Sequence, residues 1–221
     1  MKQSFLFKDT SLKEEASSFI VTDSNEAAYN WILNWPKKTD VFATFLLGPS
    51  KSGKKKLSLI WGQENNANIV DLNSFHLSEE VISEIYEPCI CYLPPELSLE
   101  QQTFLFHLFN HLKTKGQHLL FVAEQSIQHY QLELNDLKSR LLTAHIIEIS
   151  PPDEVLLKAL YFKYFHQFGL NVSSDVIDYL SIRFDRTYQS VFDISTILNK
   201  QSLLLKRTIT IPFVKEILDY K

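Results

Sequence analysis

Five short apolar runs, separated by stretches of helical spacing, constrain this chain more than any other feature of its sequence. The runs fall at 41–47, 68–72, 89–93, 118–123 and 145–149, and each has the length and β-branched or aromatic content of a strand. Helical spacing occupies 54–61, 78–86, 99–113 and 134–142, with one more helix over 25–35 ahead of the first run. Parallel strands need a crossover between them, and crossover helices cover the sheet faces, so the alternation predicts an α/β fold: a five-stranded parallel sheet with helices on both faces. After Ser150-Pro151-Pro152-Asp153 the strand pattern stops. Leu156, Leu160, Tyr164 and Phe168 then recur every fourth residue, and Val176, Ile177, Leu180 and Phe184 make the next face. Val191, Ile194, Ile197 and Leu198 follow, and Phe213, Val214, Ile217 and Leu218 close the series. A small all-helical domain is predicted from residue 152 onward.

Composition excludes several classes. With 221 residues, 45% of them hydrophobic, the chain has enough apolar material for a core, which rules out disorder and disulfide-stapled miniproteins. The 22 basic residues against 26 acidic ones give a net charge of -4, and the basic run Lys54-Lys55-Lys56 is short, so no duplex-DNA-binding face is expected. Cys89 and Cys91 lie in one apolar run, where they are read as facing opposite sides and unjoined, as suits a reducing cytoplasm. No apolar stretch approaches the roughly 20 residues of a membrane span. His107 and His111 have metal-ligand spacing, but the leucines and phenylalanines around them read as an amphipathic helix, and no metal is expected.

Chemistry enters with Gly48-Pro49-Ser50-Lys51-Ser52-Gly53-Lys54-Lys55. It follows the first predicted strand and opens the next predicted helix, the setting in which glycines let successive backbone N–H groups face phosphate oxygens and a lysine reaches the terminal phosphates. The alternative is a glycine turn with solvated lysines. A magnesium-holding loop would carry Ser or Thr after Lys54, where this chain has Lys55. The strand 89–93 also runs into Leu93-Pro94-Pro95 without an acid, and Glu96 beyond the prolines reads as a surface residue. Hydrolysis by this chain is therefore not expected.

Three further segments resemble the DnaA-like AAA+ family, whose likeness covers nearly the whole chain. Phe19-Ile20-Val21-Thr22-Asp23-Ser24-Asn25 is similar to the segment that precedes the family's first helix and lines the adenine pocket. Leu134-Asn135-Asp136-Leu137-Lys138-Ser139-Arg140-Leu141 looks like its arginine-finger segment. Residues 209–218 resemble the end of a regulatory paralogue of the initiator. The resemblance implies a P-loop AAA+ domain over 13–151, a helical lid over 152–221 and a clamp-binding tail over 1–12. In that tail Gln3-Ser4-Phe5-Leu6-Phe7 resembles a sliding-clamp pentapeptide, with Gln3, Leu6 and Phe7 as anchors. Without the resemblance it reads as a hydrophobic tail on its own domain.

The family likeness carries further expectations. Ile20 and Val21 would wall the base, the backbone from Gly48 to Lys55 would hold the phosphates, and the nucleotide would be ADP. Arg140 would act in trans on the nucleotide of a neighbouring subunit, although by itself it is an ordinary solvated helix end. Gln189 stands where the family's lid has a sensing arginine, and a neutral amide supplies no charge there. The implied partners are the sliding clamp and the initiator DnaA, with a homo-oligomer also compatible. The chain is read as ending without a helix-turn-helix, so no sequence-specific DNA binding is expected. The implied function is a regulator that stimulates ATP hydrolysis by DnaA and prevents re-initiation. Its rivals are a catalytically silent AAA+ structural subunit and an ATPase with a relaxed magnesium site.

Overall fold

The computed structural model describes residues 19–73 and 79–218. The tail anchors Gln3, Leu6 and Phe7 lie outside the described residues. Chain contacts divide the molecule into two compact units, one holding residues 26–49 and 53–149 and the other 20–25, 50–52 and 150–221.

In the first unit, helix α1 (Glu26–Asn34) precedes β1 (Ala43–Leu47), α2 (Lys54–Asn65), β2 (Asn68–Asp71), α3 (Glu79–Ser83) and β3 (Cys89–Tyr92). Then come α4 (Leu99–Lys115), β4 (Leu119–Ala123), a short 3-10 turn at Ile127–His129, α5 (Asn135–Leu141) and β5 (His145–Glu148). The strands form one sheet in the order β2-β3-β4-β1-β5, every pair parallel. All five residues of β1 and of β4 are buried, as in strands covered on both faces. Edge strand β5 instead alternates half-buried and exposed residues. Cys89 and Cys91 are two residues apart and therefore share a face. Both thiols are free, fully buried and part of the same core, which corrects the expectation of opposite faces. Burial pushes Cys89 up to about 12 and Cys91 in the same direction, so neither is a reactive thiolate.

Local chemistry sets the helix ends. Ser98 caps α4 by accepting from Gln101 N at 3.2 Å while Gln101 Oε1 accepts from Ser98 N at 2.9 Å, a capping box that pairs two otherwise orphaned N–H groups. Gly116 ends the same helix at φ 67°, the left-handed geometry glycine adopts without strain. Behind the sheet, Trp35 and Trp61 stack at 4.9 Å, and Trp61 Nε1 donates to Trp35 O at 2.9 Å.

Among the described residues the second unit contains helices and no strand: α6 (Glu154–Gln167), α7 (Ser174–Arg183), α8 (Tyr188–Leu205) and α9 (Ile211–Leu218). Leu157, Tyr161, Phe165, Leu180, Val191, Leu198 and Phe213 form its core. Of the expected row Leu156, Leu160, Tyr164 and Phe168, Leu156 is buried as expected, but beyond it the buried row runs one residue later, through Tyr161 and Phe165. Leu160 and Tyr164 only flank the core. Where two adjacent rows of a helix are both apolar, a four-residue repeat cannot say which of them faces inward.

Candidate functional site

The loop after β1 is built around a buried cation. Lys54 opens α2 with 8% of its surface exposed, and its Nζ donates to Gly48 O and Pro49 O, each at 2.7 Å. Glu124 Oε1 stands 3.9 Å from the same nitrogen. Burial lowers the Lys54 pKa, and the Glu124 carboxylate works against that. Gly53 has φ 90°, and a Cβ there would come within 3.0 Å of the Phe19 ring, so this position requires glycine on both counts. Lys51, also at positive φ, places its ammonium 4.1 Å from the centre of the Phe192 ring. The buried Ser52 Oγ finds no partner among the described residues.

The end of β3, where a hydrolysing site would carry a magnesium-organising acid, holds other chemistry. Tyr92, the last residue of β3, shares a 2.9 Å hydrogen bond with Ser58 Oγ on α2, and burial pushes its hydroxyl up to about 12 despite that bond. The Lys55 ammonium lies 5.8 Å from the Tyr92 ring centre. Leu93 is buried and Glu96 is exposed. No group of three or more metal-ligating side chains occurs among the described residues. Tested against a nucleotide with its magnesium, the loop fits poorly: the ammonium that would meet the terminal phosphates is enclosed by carbonyl oxygens, faces a carboxylate, and is followed by Lys55 rather than a hydroxyl.

Segment 20–25 is tied together by Asn25. Its Nδ2 donates to Ile20 O at 2.9 Å, and its Oδ1 accepts from Thr22 N at the same distance. Ile20 is half-buried and Val21 is 39% exposed. Asp153 caps α6 through Leu156 N at 2.8 Å and also accepts from Ser24 N at 3.2 Å. Partial burial raises its pKa, but hydrogen bonds from Thr22, Leu156 and Ser24 outweigh this and leave the carboxyl below its ordinary range.

Arg140 projects from the last turn of α5 and is half-buried, not the solvated helix end that its surroundings in sequence imply. Its Nε donates to Asn110 Oδ1 at 2.8 Å, its Nη1 donates to Asp136 O at 3.0 Å, and its guanidinium lies 4.6 Å from the Phe106 ring centre. The start of α5 is set by Gln102, a buried amide on α4 whose Oε1 accepts from Glu133 N at 2.8 Å and whose Nε2 donates to Leu97 O at 3.0 Å. Gln189 lies on the surface of α8 and donates to Asp193 Oδ1 at 2.8 Å, and Arg186 makes a long surface pair with Glu154 at 3.9 Å. Thus Gly48, Pro49 and Lys54 converge on one point, while Arg140 and Gln189 each belong to a separate local network. Glu124 and Gln102 were missed by sequence reasoning. For Glu124 the available signal was an acid directly after a fully apolar strand, at the end where the phosphate loop also leaves the sheet.

Comparison with known proteins agrees with this architecture. Residues 153–218 match the family model of the Hda lid domain. The fold superimposes on domain III of the replication initiation protein DnaA from Thermotoga maritima with a TM-score of 0.75, at 17% identity, covering 93% of this chain and 95% of that one. AMPPCP-bound DnaA from Aquifex aeolicus gives a TM-score of 0.69 at 17% identity, covering 87% of this chain and 67% of the other. In sequence, an uncharacterized protein of Haemophilus influenzae is 35% identical over 122 residues, 54% of this chain and 52% of that protein. The chain spans about half the length of this curated relative. The five-stranded parallel sheet followed by a helical unit is thus the fold of DnaA domain III. The C-terminal helices, over residues 153–218, are similar to the lid domain of Hda.

Proposed function

We propose that the chain is a cytoplasmic regulator of replication initiation that binds the sliding clamp and stimulates ATP hydrolysis by DnaA, without turning over nucleotide itself. The observation that carries this reading is the Hda-type lid on a DnaA-like fold. Three features of the chain are consistent with it. Lys55 and Leu93 stand where a hydrolysing site would organise magnesium. Gln189 places no charge at the lid position. Arg140 keeps a planar guanidinium on α5, the group that stabilises charge on a transferred phosphoryl when presented to a neighbour. ADP bound at the loop is compatible with this function but not required by it.

The test is to add the chain to DNA-loaded clamp and ATP-bound DnaA and follow the release of phosphate as the bound ATP is hydrolysed to ADP. Acceleration that requires the clamp supports the proposal. The tail anchors give its second arm: Leu6→Ala/Phe7→Ala should weaken clamp binding more than Gln3→Ala, by a factor on the order of thirty, since loss of buried apolar anchors costs about 2 kcal/mol. Unchanged clamp binding in the double variant would remove the adaptor function.

One observation favours a second reading. Arg140 is engaged by Asn110, Asp136 and Phe106 of its own unit, which suits a silent structural subunit in a DnaA-like or clamp-loader-like assembly. That reading expects no acceleration of hydrolysis at all.

A further inference from the structure

Residues 124–134 join β4 to α5, with the 3-10 turn at Ile127–His129 as their regular structure. Helix α5 spans seven residues, of which Leu137 and Leu141 are buried. A helix that short has little stability of its own, so the place of Arg140 depends on what holds the connection ahead of it. Part of that hold is apolar: Ile127 and Tyr130 belong to the sheet core, and Leu132 and Leu134 pack against it. The rest is hydrogen bonding. Gln102 holds the connection beside the helix, at Gln131, Glu133 and Leu134. Earlier in the connection, Tyr130 Oη donates to Pro94 O at 3.0 Å and Gln125 Nε2 donates to Pro95 O at 2.5 Å, both in the loop that follows β3. Prolines have a fixed φ and no N–H of their own, so these two carbonyls stand on a stiff support. Tyr130 and Pro94 are both buried, whereas Pro95 is exposed. Water can replace the Gln125 bond, but loss of the Tyr130 hydroxyl leaves a buried carbonyl without its partner. Burial pushes that hydroxyl up to about 12, which keeps it a donor at neutral pH.

We propose that Tyr130 is a positioning residue for Arg140: by bonding to Pro94 O it fixes the connection from which α5 departs, and so the place from which the guanidinium is presented. The inference rests on the proposed regulation, in which Arg140 meets the initiator's nucleotide. Misplacing a reacting group by about 1 Å costs about a hundredfold in rate, and the partial loosening that follows removal of one hydroxyl is expected to cost about tenfold.

The experiment compares the full chain with Tyr130→Phe, which keeps the buried ring and removes the hydroxyl alone. Phosphate release from ATP-bound DnaA with DNA-loaded clamp is followed over a range of chain concentrations, and amide hydrogen exchange is read on the chain by itself. The maximal stimulated rate should fall about tenfold, while the concentration that gives half of it stays the same. Exchange should quicken at Lys138 and Leu142, whose amides bond to Leu134 O and Lys138 O, and stay unchanged at Cys89, whose amide bonds to His118 O. A parent-like maximal rate in Tyr130→Phe overturns the proposal. So does a higher half-maximal concentration with an unchanged maximum, since the hydroxyl would then be meeting the initiator itself. Exchange quickened equally at Cys89 also overturns it, because the hydroxyl would then stabilise the whole unit and not α5 in particular. If the parent does not stimulate DnaA, the proposed regulation fails by itself; quickened exchange confined to α5 would still support the hold of Tyr130 on that helix, and unchanged exchange would overturn it.

Discussion

Arg140 is held at three points by its own unit: Asn110 Oδ1, Asp136 O and the face of Phe106. Reaching a neighbouring subunit means giving up Asn110 and the ring, while the bond to Asp136 O on its own helix is the easiest to keep. Arg140→Ala should consequently lower stability by about 1 kcal/mol, from a charge-assisted hydrogen bond and a cation–π contact that are both partly solvated. Urea denaturation checks this, and an unchanged midpoint would mean that the contacts contribute nothing. The finger segment was legible in the sequence as a resemblance, but its restraint was not, because Asn110 lies 30 positions upstream and only folding brings it near. Glu124 was illegible for a similar reason. A lone acid after an apolar strand looks like surface until the register sets it beside Gly48.

Helix α5 carries Arg140, and α4 sets where α5 begins. Gln102, 1% exposed, accepts from the backbone N–H groups of Glu133 and Leu134 at 2.8 and 3.3 Å, immediately before α5 starts. Replacing it with Leu, of similar size, leaves two backbone donors and the Leu97 carbonyl without their partner. A loss of about 2–3 kcal/mol is expected, together with a larger fall in Arg140-dependent activity than stability alone explains. Thermal melting and the hydrolysis assay measured on one preparation separate the two effects. The elements themselves were readable, since continuous apolar runs gave the buried strands β1 and β4 and a cap with a terminal glycine bracketed α4. The inward face of α6 was not, because Leu156-Leu157, Leu160-Tyr161 and Tyr164-Phe165 offer two apolar rows. Packing against α7 and α8 chose between them.

For the molecule as a whole, acid should be destabilising in two windows. His118 meets the edge of Trp35 and His145 stacks on Trp31 at 3.7 Å, and burial holds both imidazoles below their ordinary pKa. The unfolded chain then binds more protons than the folded one. Stability contributed by the neutral rings is present above the unfolded pKa, about 6.5, and is lost as pH falls from there through the folded values. Asp153, also depressed, adds a second loss below about pH 4, as its carboxylate is protonated and its hydrogen bonds to Ser24 and Leu156 fail. Melting temperature should thus decline from pH 7 to 5, and His118→Gln/His145→Gln should flatten that slope. A flat parent profile would contradict the assignment. Among the described residues no helix is long and apolar enough to cross a membrane. The proposed regulation has the chain act on the initiator's nucleotide through Arg140. Its most direct measurement is phosphate release from ATP-bound DnaA with DNA-loaded clamp, comparing parent, Arg140→Ala and Arg140→Lys. Action through Arg140 predicts stimulation by the parent, a fall on the order of a thousandfold in the Ala variant, and little rescue by Lys, whose ammonium lacks the planar fork. Equal stimulation by parent and Arg140→Ala would contradict it.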